Sequence, residues 1–253
     1  MKESKIFVIT HKKIFYKIKE DYVPVQVGNN SLDEKYLKDN TGDNISDKNS
    51  NYCELTALYW LWKNYELPDY VGICHYRRFF VKRPFYKLID QKYINKQLEN
   101  YDVILPYHFK TKSTVKDHFI NSPSGRKEDI ERLENLIKLK YSEYYQDYIN
   151  VMSAKSSSYF NMMILSKELF NEYCEWLFDI LFEYEKSTNL TGYTKQEARI
   201  YGFLSEFLLN VWLRHKGVKI KYCNVLKVDE RPYINLLKKV KLFMKDIIRI
   251  FKR

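Results

Sequence analysis

The sequence has little glycine and little cysteine, and its apolar residues form no long runs. Seven glycines in 253 residues argue against a fold built on glycine-rich phosphate loops. The four cysteines are far apart, and no two of them form a C-x-x-C pair. This spacing predicts buried, reduced thiols and excludes a disulfide framework or a zinc site built on cysteine pairs.

Signals for export and for membrane insertion are missing as well. The apolar run at 6–9 is too short for the core of a signal peptide, and no small-residue cleavage site follows it. No stretch of about 18 apolar residues occurs, so we expect no transmembrane helix. These two observations predict a cytoplasmic location.

Basic charge and aromatic residues are abundant. The formal net charge is +11, and 17% of the residues are aromatic. Such rings suit sugar or base contacts, although an AT-rich genome also enriches tyrosine and lysine and explains the composition better. The segment 233–253 carries +6 of the charge, which leaves +5 for the other 232 residues. A nucleic-acid-binding protein is one alternative. Because the charge is concentrated in this tail and no recognition motif appears, we predict no nucleic-acid partner.

Apolar runs of strand length alternate with helical periodicity along the chain. The strand-like runs lie at 6–10, 23–27, 70–74, 103–106, 159–165 and 218–225. Helical stripes begin at Leu55, after the capping residue Ser166, and at Ile200, and the last stripe ends at Gly217. This order predicts an α/β fold with a mostly parallel central sheet flanked by helices and with ligands at the carboxyl ends of its strands. The polar segment 110–128 is predicted to be a long loop.

One strand ends abruptly in basic residues, at His75, Tyr76, Arg77 and Arg78. Two adjacent guanidinium groups at a strand end can clamp a diphosphate, because each offers a planar fork of donors to phosphate oxygens. His75 can donate to the same anion or position a sugar hydroxyl. A solvated basic turn on the surface is the alternative interpretation.

Several motifs resemble a family of bacterial capsular and exopolysaccharide glycosyltransferases that was first catalogued as a domain of unknown function. They are TGDNIS (41–46), ELTALYWLWKN (54–64), VGICHYRRF (71–79), YFNMMI (159–164), CEWLFDI (174–180) and YGFLSE (201–206). The resemblance covers about residues 4–228. It implies a GT-A-like domain, taken here as 1–230, that binds a nucleotide-sugar donor of the UDP-sugar class. Some relatives resemble galactofuranosyltransferases. The donor-binding residues it implies are Thr10, His11, Asp43, Asn44, Glu54, Lys63, Tyr76, Arg77 and Arg78.

The same resemblance bears on metal dependence. GT-A enzymes usually hold a divalent metal on the donor diphosphate with an Asp-x-Asp motif, and here the basic residues around Arg77 stand in that place. Arginines can neutralise a departing diphosphate as a metal would. We therefore predict that no cofactor is required. The alternative is a Mn²⁺ or Mg²⁺ site with Asp43 as a ligand.

An inverting transfer needs a carboxylate base for the acceptor hydroxyl, and we predict Glu206, with His75 as the second catalytic residue. Glu206 lies on the strongly apolar helix that begins at Ile200, so it is expected beside a pocket. Glu197 and Asp102 are rivals, and an exposed helix glutamate is the alternative. Asn161, a polar residue in an apolar run, is predicted to contact the acceptor or to be a hydrogen-bonded core amide.

The C-terminal segment 231–253 is predicted to be a basic amphipathic helix. Its apolar stripe consists of Tyr233, Leu237, Val240, Met244, Ile247 and Phe251. Such a helix is attracted to anionic lipid, which predicts peripheral attachment to the inner face of the cytoplasmic membrane and a lipid-linked saccharide acceptor. A surface helix docked on the domain is the alternative. For the whole chain, a catalytically silent sugar-binding subunit of a polysaccharide assembly complex remains the alternative to an enzyme.

Overall fold

The computed structural model describes the backbone of residues 1–28 and 31–251 and the side chains of these residues up to 248. The strands are β1 (Ser4–Thr10), β2 (Tyr22–Gln26), β3 (Leu37–Lys38), β4 (Tyr70–His75), β5 (Arg78–Lys82), β6 (Lys87–Leu88), β7 (Val103–Pro106), β8 (Phe109–Lys110), β9 (Ser156–Ser157), β10 (Met163–Ser166) and β11 (Ile220–Lys227).

The helices are α1 (Asn49–Tyr52), α2 (Leu55–Asn64), α3 (Gln91–Leu98), α4 (Val115–Ile120), α5 (Lys127–Lys140), α6 (Tyr145–Ser153), α7 (Lys167–Lys186), α8 (Ile200–Lys216) and α9 (Pro232–Phe251). Ser166 caps α7 as predicted, since its hydroxyl accepts from the Leu169 N–H. Gly217 ends α8 in the left-handed conformation, also as predicted, because a glycine adopts this positive φ without steric cost.

A nine-stranded sheet runs through the molecule in the order β3-β2-β1-β4-β10-β7-β11-β5-β6. Both faces are covered by helices, and successive residues of β1 alternate between two apolar clusters, with Phe7 on one face and Val8 on the other. Helices α2 and α4–α8 pack on the first face, whereas α3 and α9 lie on the second. The α/β class with a central sheet between helices is confirmed.

The sheet is mixed, so the prediction of a mostly parallel sheet is wrong. Strands β3, β2, β1 and β4 pair in parallel, as do β7 and β11, but β10 is antiparallel to both of its neighbours. Strand β5 is antiparallel to β4, β6 and β11. Only Tyr76 and Arg77 separate β4 from β5, and a connection this short can join only antiparallel strands.

Two further predictions of local structure need correction. The segment 110–128 is not a long loop, because it contains α4 and the start of α5; Thr114 caps α4, and buried Val115 and Phe119 anchor it. Residues 159–165 are only partly a strand, because Phe160 and Asn161 have φ values of 82° and 49°, which no β-strand accommodates. Strand β10 therefore begins at Met163.

Helix α9 lies against the domain through its polar side. Asn235 and Asp246 are buried, and Leu242 packs on the apolar cluster of the second sheet face. Seven apolar side chains at least 50% exposed form what we call the apolar surface of α9: Tyr233, Leu236, Leu237, Val240, Phe243, Met244 and Ile248. Some residues of the predicted apolar stripe and of the predicted basic tail lie outside the described part of the chain. They are the side chains of Arg249 and Phe251 and residues 252–253. No helix in the described ranges is long and apolar enough to cross a bilayer.

Candidate active site

A cavity of about 850 Å³ opens at the carboxyl ends of β1 and β4, beside the first half of α8. This is the position predicted for a ligand in such a sheet. Its lining includes eight of the predicted site residues: Thr10, His11, Glu54, His75, Tyr76, Arg77, Arg78 and Glu206. The sequence distance between Thr10 and Glu206 shows that the whole fold is needed to assemble this cavity.

The end of β1 contributes Thr10 and His11. The Thr10 hydroxyl accepts from the Lys12 N–H at 3.0 Å, which fixes the turn that follows the strand. The His11 ring meets the Tyr76 ring edge-on with 5.1 Å between centroids. Burial lowers the pKa of His11, and the positive charges of Lys12 and Arg77 act in the same direction. His11 is therefore a neutral hydrogen-bonding group at neutral pH.

Three arginines form the cationic side of the cavity. The Arg77 guanidinium lies 5.0 Å from the centre of the Tyr76 ring, and that of Arg78 lies 4.3 Å from the centre of the Phe160 ring. Burial lowers the pKa of Arg78, against the opposing charge of Glu206. Arg199 donates from Nε to the Cys53 sulfur at 3.1 Å. Within residues 1–28 and 31–251, neither Arg77 nor Arg78 forms an ion pair, so both can bind an anion.

Glu206 lines the cavity and is otherwise enclosed by protein. Its Oε1 accepts a hydrogen bond from the Phe160 N–H at 3.0 Å. Burial raises the pKa of Glu206 to about 8, and the Glu54 carboxylate acts in the same direction, against the Phe160 N–H and the charges of Arg78 and Arg199. A carboxyl group with a pKa near the working pH can both accept and release a proton.

The rival carboxylates lie outside the cavity lining. Glu197 binds Arg126 at 2.9 Å and the Thr194 N–H at 2.8 Å. Asp102 accepts from the Lys219 N–H at 2.7 Å, at the opposite end of β7 from its carboxyl end. Both carboxylates therefore have structural partners, which leaves Glu206 as the candidate base with the more suitable position.

A strained dipeptide, Phe160–Asn161, connects the catalytic candidates. Nε2 of His75 donates to the Phe160 carbonyl oxygen, while the Phe160 N–H binds Glu206. The Asn161 side chain is 1% exposed and donates to Glu54 at 2.8 Å and to the Gly202 carbonyl oxygen at 3.1 Å. Asn161 is thus a hydrogen-bonded buried amide and does not face the cavity, so the geometry gives its predicted acceptor contact no support.

Three predicted donor residues lie together elsewhere, around the C-terminal end of α2. Asp43 accepts from the Tyr59 hydroxyl at 3.0 Å, and Asn44 donates to the Gly42 carbonyl oxygen at 2.9 Å. The Lys63 ammonium group lies 3.5 Å from the centre of the Trp62 ring. These contacts stabilise a turn against the helix, and none of the three side chains lines the cavity.

The cavity does not present the ligands of a divalent cation. Mg²⁺ and Mn²⁺ prefer several oxygen ligands, and its two carboxylates, Glu54 and Glu206, each accept from an N–H group and interact with arginines. In the part of the chain that the structure describes, no three His, Cys, Asp or Glu side chains are grouped as a metal site. Among the described residues, Asp43 likewise has no two further His, Cys, Asp or Glu side chains grouped with it as ligands for a divalent cation.

The cavity also contains residues that the sequence reasoning missed: Cys53, Phe109, His118, Phe119, Tyr159, Arg199, Phe203 and Phe207. Arg199 and Phe203 lie seven and three residues before Glu206, which is the spacing of one helix face. Extending the face of Glu206 backwards along the sequence would have found both. The residues around Phe109 gave no such signal, because that segment has no period.

The fold and this cavity define an α/β protein with an arginine-lined cavity at the carboxyl ends of parallel strands. Residues 5–217 match the family described as Domain of unknown function (DUF4422). The match covers most of the chain, which therefore belongs to this family. No curated protein matches the sequence.

Two solved structures are similar to this chain. The apo structure of the bifunctional glycosyltransferase WbbM superposes with a TM-score of 0.78 at 30% sequence identity and covers 88% of this chain. This chain spans 45% of WbbM, so it corresponds to one part of that larger protein. The mannosyltransferase Ktr4p from S. cerevisiae covers 88% of this chain and 70% of its own, with a TM-score of 0.36 and 7% identity, a level at which even a common fold is not indicated.

Proposed function

We propose that the chain is a glycosyltransferase that moves a sugar from a nucleotide-sugar donor to a saccharide acceptor. The observation that carries this proposal is that three arginines meet one enclosed carboxyl group, Glu206, in a single cavity. Among the side chains described, 1–28 and 31–248, none forms an acidic ion pair with these arginines. Anion binding and proton acceptance are the two tasks of such a transfer. The similarity to one part of WbbM supports the same reaction class.

In this proposal the donor diphosphate binds Arg77 and Arg78, with His11, Tyr76 and Thr10 at the same side of the cavity. The two guanidinium groups stabilise the charge that develops on the leaving diphosphate, so the reaction needs no metal. A GT-A-like site of this kind suits a UDP-sugar, and UDP-galactofuranose is one candidate donor, because some relatives resemble galactofuranosyltransferases. His75 positions the Phe160 carbonyl and thereby the loop that binds Glu206.

Glu206 is the proposed general base, and direct attack by the acceptor hydroxyl inverts the anomeric configuration. The Phe160 N–H fixes one carboxyl oxygen, which leaves the other for the acceptor proton. The nearby Arg78 and Arg199 stabilise the carboxylate form against the effect of burial. The proposal divides the chain into a catalytic domain, 1–230, and the segment 231–253.

Calorimetric titration with UDP tests the donor site. A hydrogen bond to a charged group contributes roughly 1.5–3 kcal/mol, so Arg77→Ala and Arg78→Ala should each weaken UDP binding about tenfold or more. Arg214→Ala is the matched control, because Arg214 pairs with Asp147 outside the cavity. Equal UDP affinity in all four proteins would contradict the assignment.

The apolar surface of α9 supports a second part of the proposal, peripheral attachment to an anionic membrane. Because the polar side of α9 binds the domain, its apolar side chains face outward, and Lys241 and Lys245 on the same helix are also exposed. Each basic residue near an anionic bilayer contributes about 1 kcal/mol. Such attachment would bring the enzyme to a lipid-linked acceptor in the synthesis of a capsular or other surface polysaccharide.

Co-sedimentation with anionic vesicles tests the attachment. The double variant Leu237→Glu with Phe243→Glu should pellet much less than the wild type, and added salt should weaken the wild-type interaction by screening. Leu139→Glu, at an exposed position on α5, is the control. Point variants are preferable to a truncation, since removing α9 would also remove the buried Asp246. Equal pelleting of the double variant would contradict the attachment.

A further inference from the structure

The cavity wall has two chemically different parts. One is cationic and consists of Arg77, Arg78 and Arg199, of which the proposed function assigns Arg77 and Arg78 to the donor and Arg199 to the support of Glu206. The other, which we call the aromatic wall, consists of six ring side chains: Phe109, His118, Phe119, Tyr159, Phe203 and Phe207. Phe119 and Phe207 belong to the core of the first sheet face, and Tyr159 and Phe203 pack against it, whereas Phe109 and His118 are exposed.

Ring contacts join the aromatic wall into two groups of three, which meet where His118 and Phe119 are neighbours on α4. Phe119 lies 6.0 Å from Phe203 and 5.2 Å from Phe207, between ring centres. Phe109 lies 6.2 Å from Tyr159 and 6.4 Å from His118. None of these six side chains carries a fixed charge, so this part of the wall has no group that selects an anionic ligand.

The outer rings of this wall are exposed on well-supported backbone. Phe109 is 56% exposed, although it lies in β8, which pairs with β9 through Phe109 and Ser157. His118 is exposed on α4, whose neighbouring residue Phe119 is 6% exposed and holds the helix on the core. A ring that is exposed and rigidly held contributes little to folding and binds a flat apolar ligand face at a low entropy cost.

The position of Glu206 relates this wall to the reaction. Glu206 lies between Phe203 and Phe207 on the same face of α8, and Tyr159 directly precedes the Phe160 N–H that binds it. An acceptor hydroxyl that reaches Glu206 must therefore belong to a sugar that lies near these rings. Arg77 and Arg78, on the other part of the wall, are occupied by the donor in the proposed reaction.

We propose that the aromatic wall is the acceptor subsite and that it binds a neutral sugar residue. This inference rests on the proposed function, because it takes the donor to occupy the arginines. A sugar ring presents a face of polarised C–H groups, which complement the negative face of an aromatic ring. Phe109 provides the stacking surface, and His118 provides a hydrogen bond to a hydroxyl group. A wall made mainly of phenylalanine and tyrosine rings favours a neutral hexose over a uronic acid.

Saturation-transfer NMR on the full chain with saturating UDP tests the subsite. The probes are the methyl glycosides of galactose, glucose, mannose and N-acetylglucosamine, and of glucuronic acid as the acidic comparison. We expect at least one neutral glycoside to bind the wild type, and Phe109→Ala to weaken that binding roughly tenfold. His118→Ala should weaken it less. Phe85→Ala, at a 73% exposed phenylalanine outside the cavity, should change nothing.

Calorimetry with UDP alone distinguishes this inference from the proposed function. Phe109→Ala should leave UDP affinity unchanged within twofold; a loss of UDP affinity would show that the aromatic wall holds the donor base and would overturn the inference. Binding of no neutral glycoside to the wild type, or preferred binding of the glucuronide, would also overturn it. Failure of UDP to bind the wild type would instead contradict the proposed function itself.

Discussion

Two enclosed carboxyl groups, Glu206 in the cavity and Asp246 on the side of α9 that faces the domain, differ in what surrounds them. Asp246 accepts from Arg83 at 2.7 Å, from Tyr86 at 2.6 Å and from Asn224 at 3.0 Å. Burial alone would raise its pKa, but these hydrogen bonds, led by that of Arg83, hold the pKa of Asp246 below its usual value. Glu206 has one such N–H donor and a second carboxylate nearby, and its pKa is raised.

The difference separates a structural carboxylate from a reactive one. Around Asp246 the protein stabilises the charged form, which fixes α9 on the domain. Around Glu206 the protein leaves the charged form poorly stabilised, so the group is ready to take a proton. Strongly raised pKa values in a cavity are typical of functional sites. Removing the charge should therefore have opposite effects on stability at the two positions, and four predictions test this contrast.

The largest effect is expected from Glu206→Gln, which keeps the shape and removes the proton acceptor. Turnover should fall by about two to four orders of magnitude, while UDP affinity stays within about twofold. Initial rates of nucleoside diphosphate release measure this. Glu197→Gln is the matched control, because Glu197 pairs with Arg126 outside the cavity. Near-normal turnover in Glu206→Gln would remove Glu206 from the reaction.

The pH dependence of turnover should follow the Glu206 carboxyl group. A base must be deprotonated, and the pKa of Glu206 is raised to about 8. The rate should therefore fall about tenfold per pH unit below pH 8 and level off above it. A profile between pH 6 and pH 9.5 at saturating donor measures this. A rate that is constant from pH 6 to pH 8 would contradict the assignment.

Asp246→Asn should lower the free energy of unfolding by about 2 kcal/mol, since it weakens hydrogen bonds made to a charged group. The helix α9 should also loosen, so proteolysis around residues 229–232 should become faster. Lys241→Gln, an exposed change on the same helix, is the control. Unfolding in urea and limited proteolysis measure the two effects, and unchanged values would show that Asp246 does not fix α9.

Glu206→Gln should change stability in the opposite direction to Asp246→Asn. It should raise the free energy of unfolding by about 1–2 kcal/mol at pH 9. Because the folded-state pKa is raised, the folded protein binds a proton that the unfolded chain has already lost. The stability that this proton contributes is present at low pH and is lost as the pH rises through about 8. The advantage of the variant should therefore grow from pH 6 to pH 9. A variant that is less stable at pH 9 would contradict the contrast.

Local sequence patterns predicted the buried helices and strands better than the exposed helix α9. The stripes of α2, α7 and α8 and the strands β1, β2, β4 and β7 follow from periodicity, since a buried face fixes the pattern of apolar residues. Arg77, Arg78 and Glu206 were found because each stands out in an apolar run. The apolar stripe of α9 could not reveal its orientation, because the helix docks through Asp246 and Leu242, which lie outside that stripe.

Long-range contacts explain what could not be predicted. Asn161 was assigned to the acceptor, but its partner Glu54 is 107 positions away in sequence. Strand β10 begins only after the positive φ values of Phe160 and Asn161, which the apolar sequence of this segment does not indicate. Phe109 and Phe119 lie in the short elements β8 and α4, which are held in place by contacts with β9 and α8. Elements this short are too brief to show a periodic sequence pattern.

The most direct test of the account is a screen of the full chain against nucleotide sugars, including UDP-galactose, UDP-glucose, UDP-N-acetylglucosamine and UDP-galactofuranose. The assay detects nucleoside diphosphate released with and without neutral saccharide acceptors. The account predicts release from at least one donor, and loss of that release in both Arg78→Ala and Glu206→Gln. UDP binding without release from any donor would contradict it and would identify the protein as a silent sugar-binding subunit.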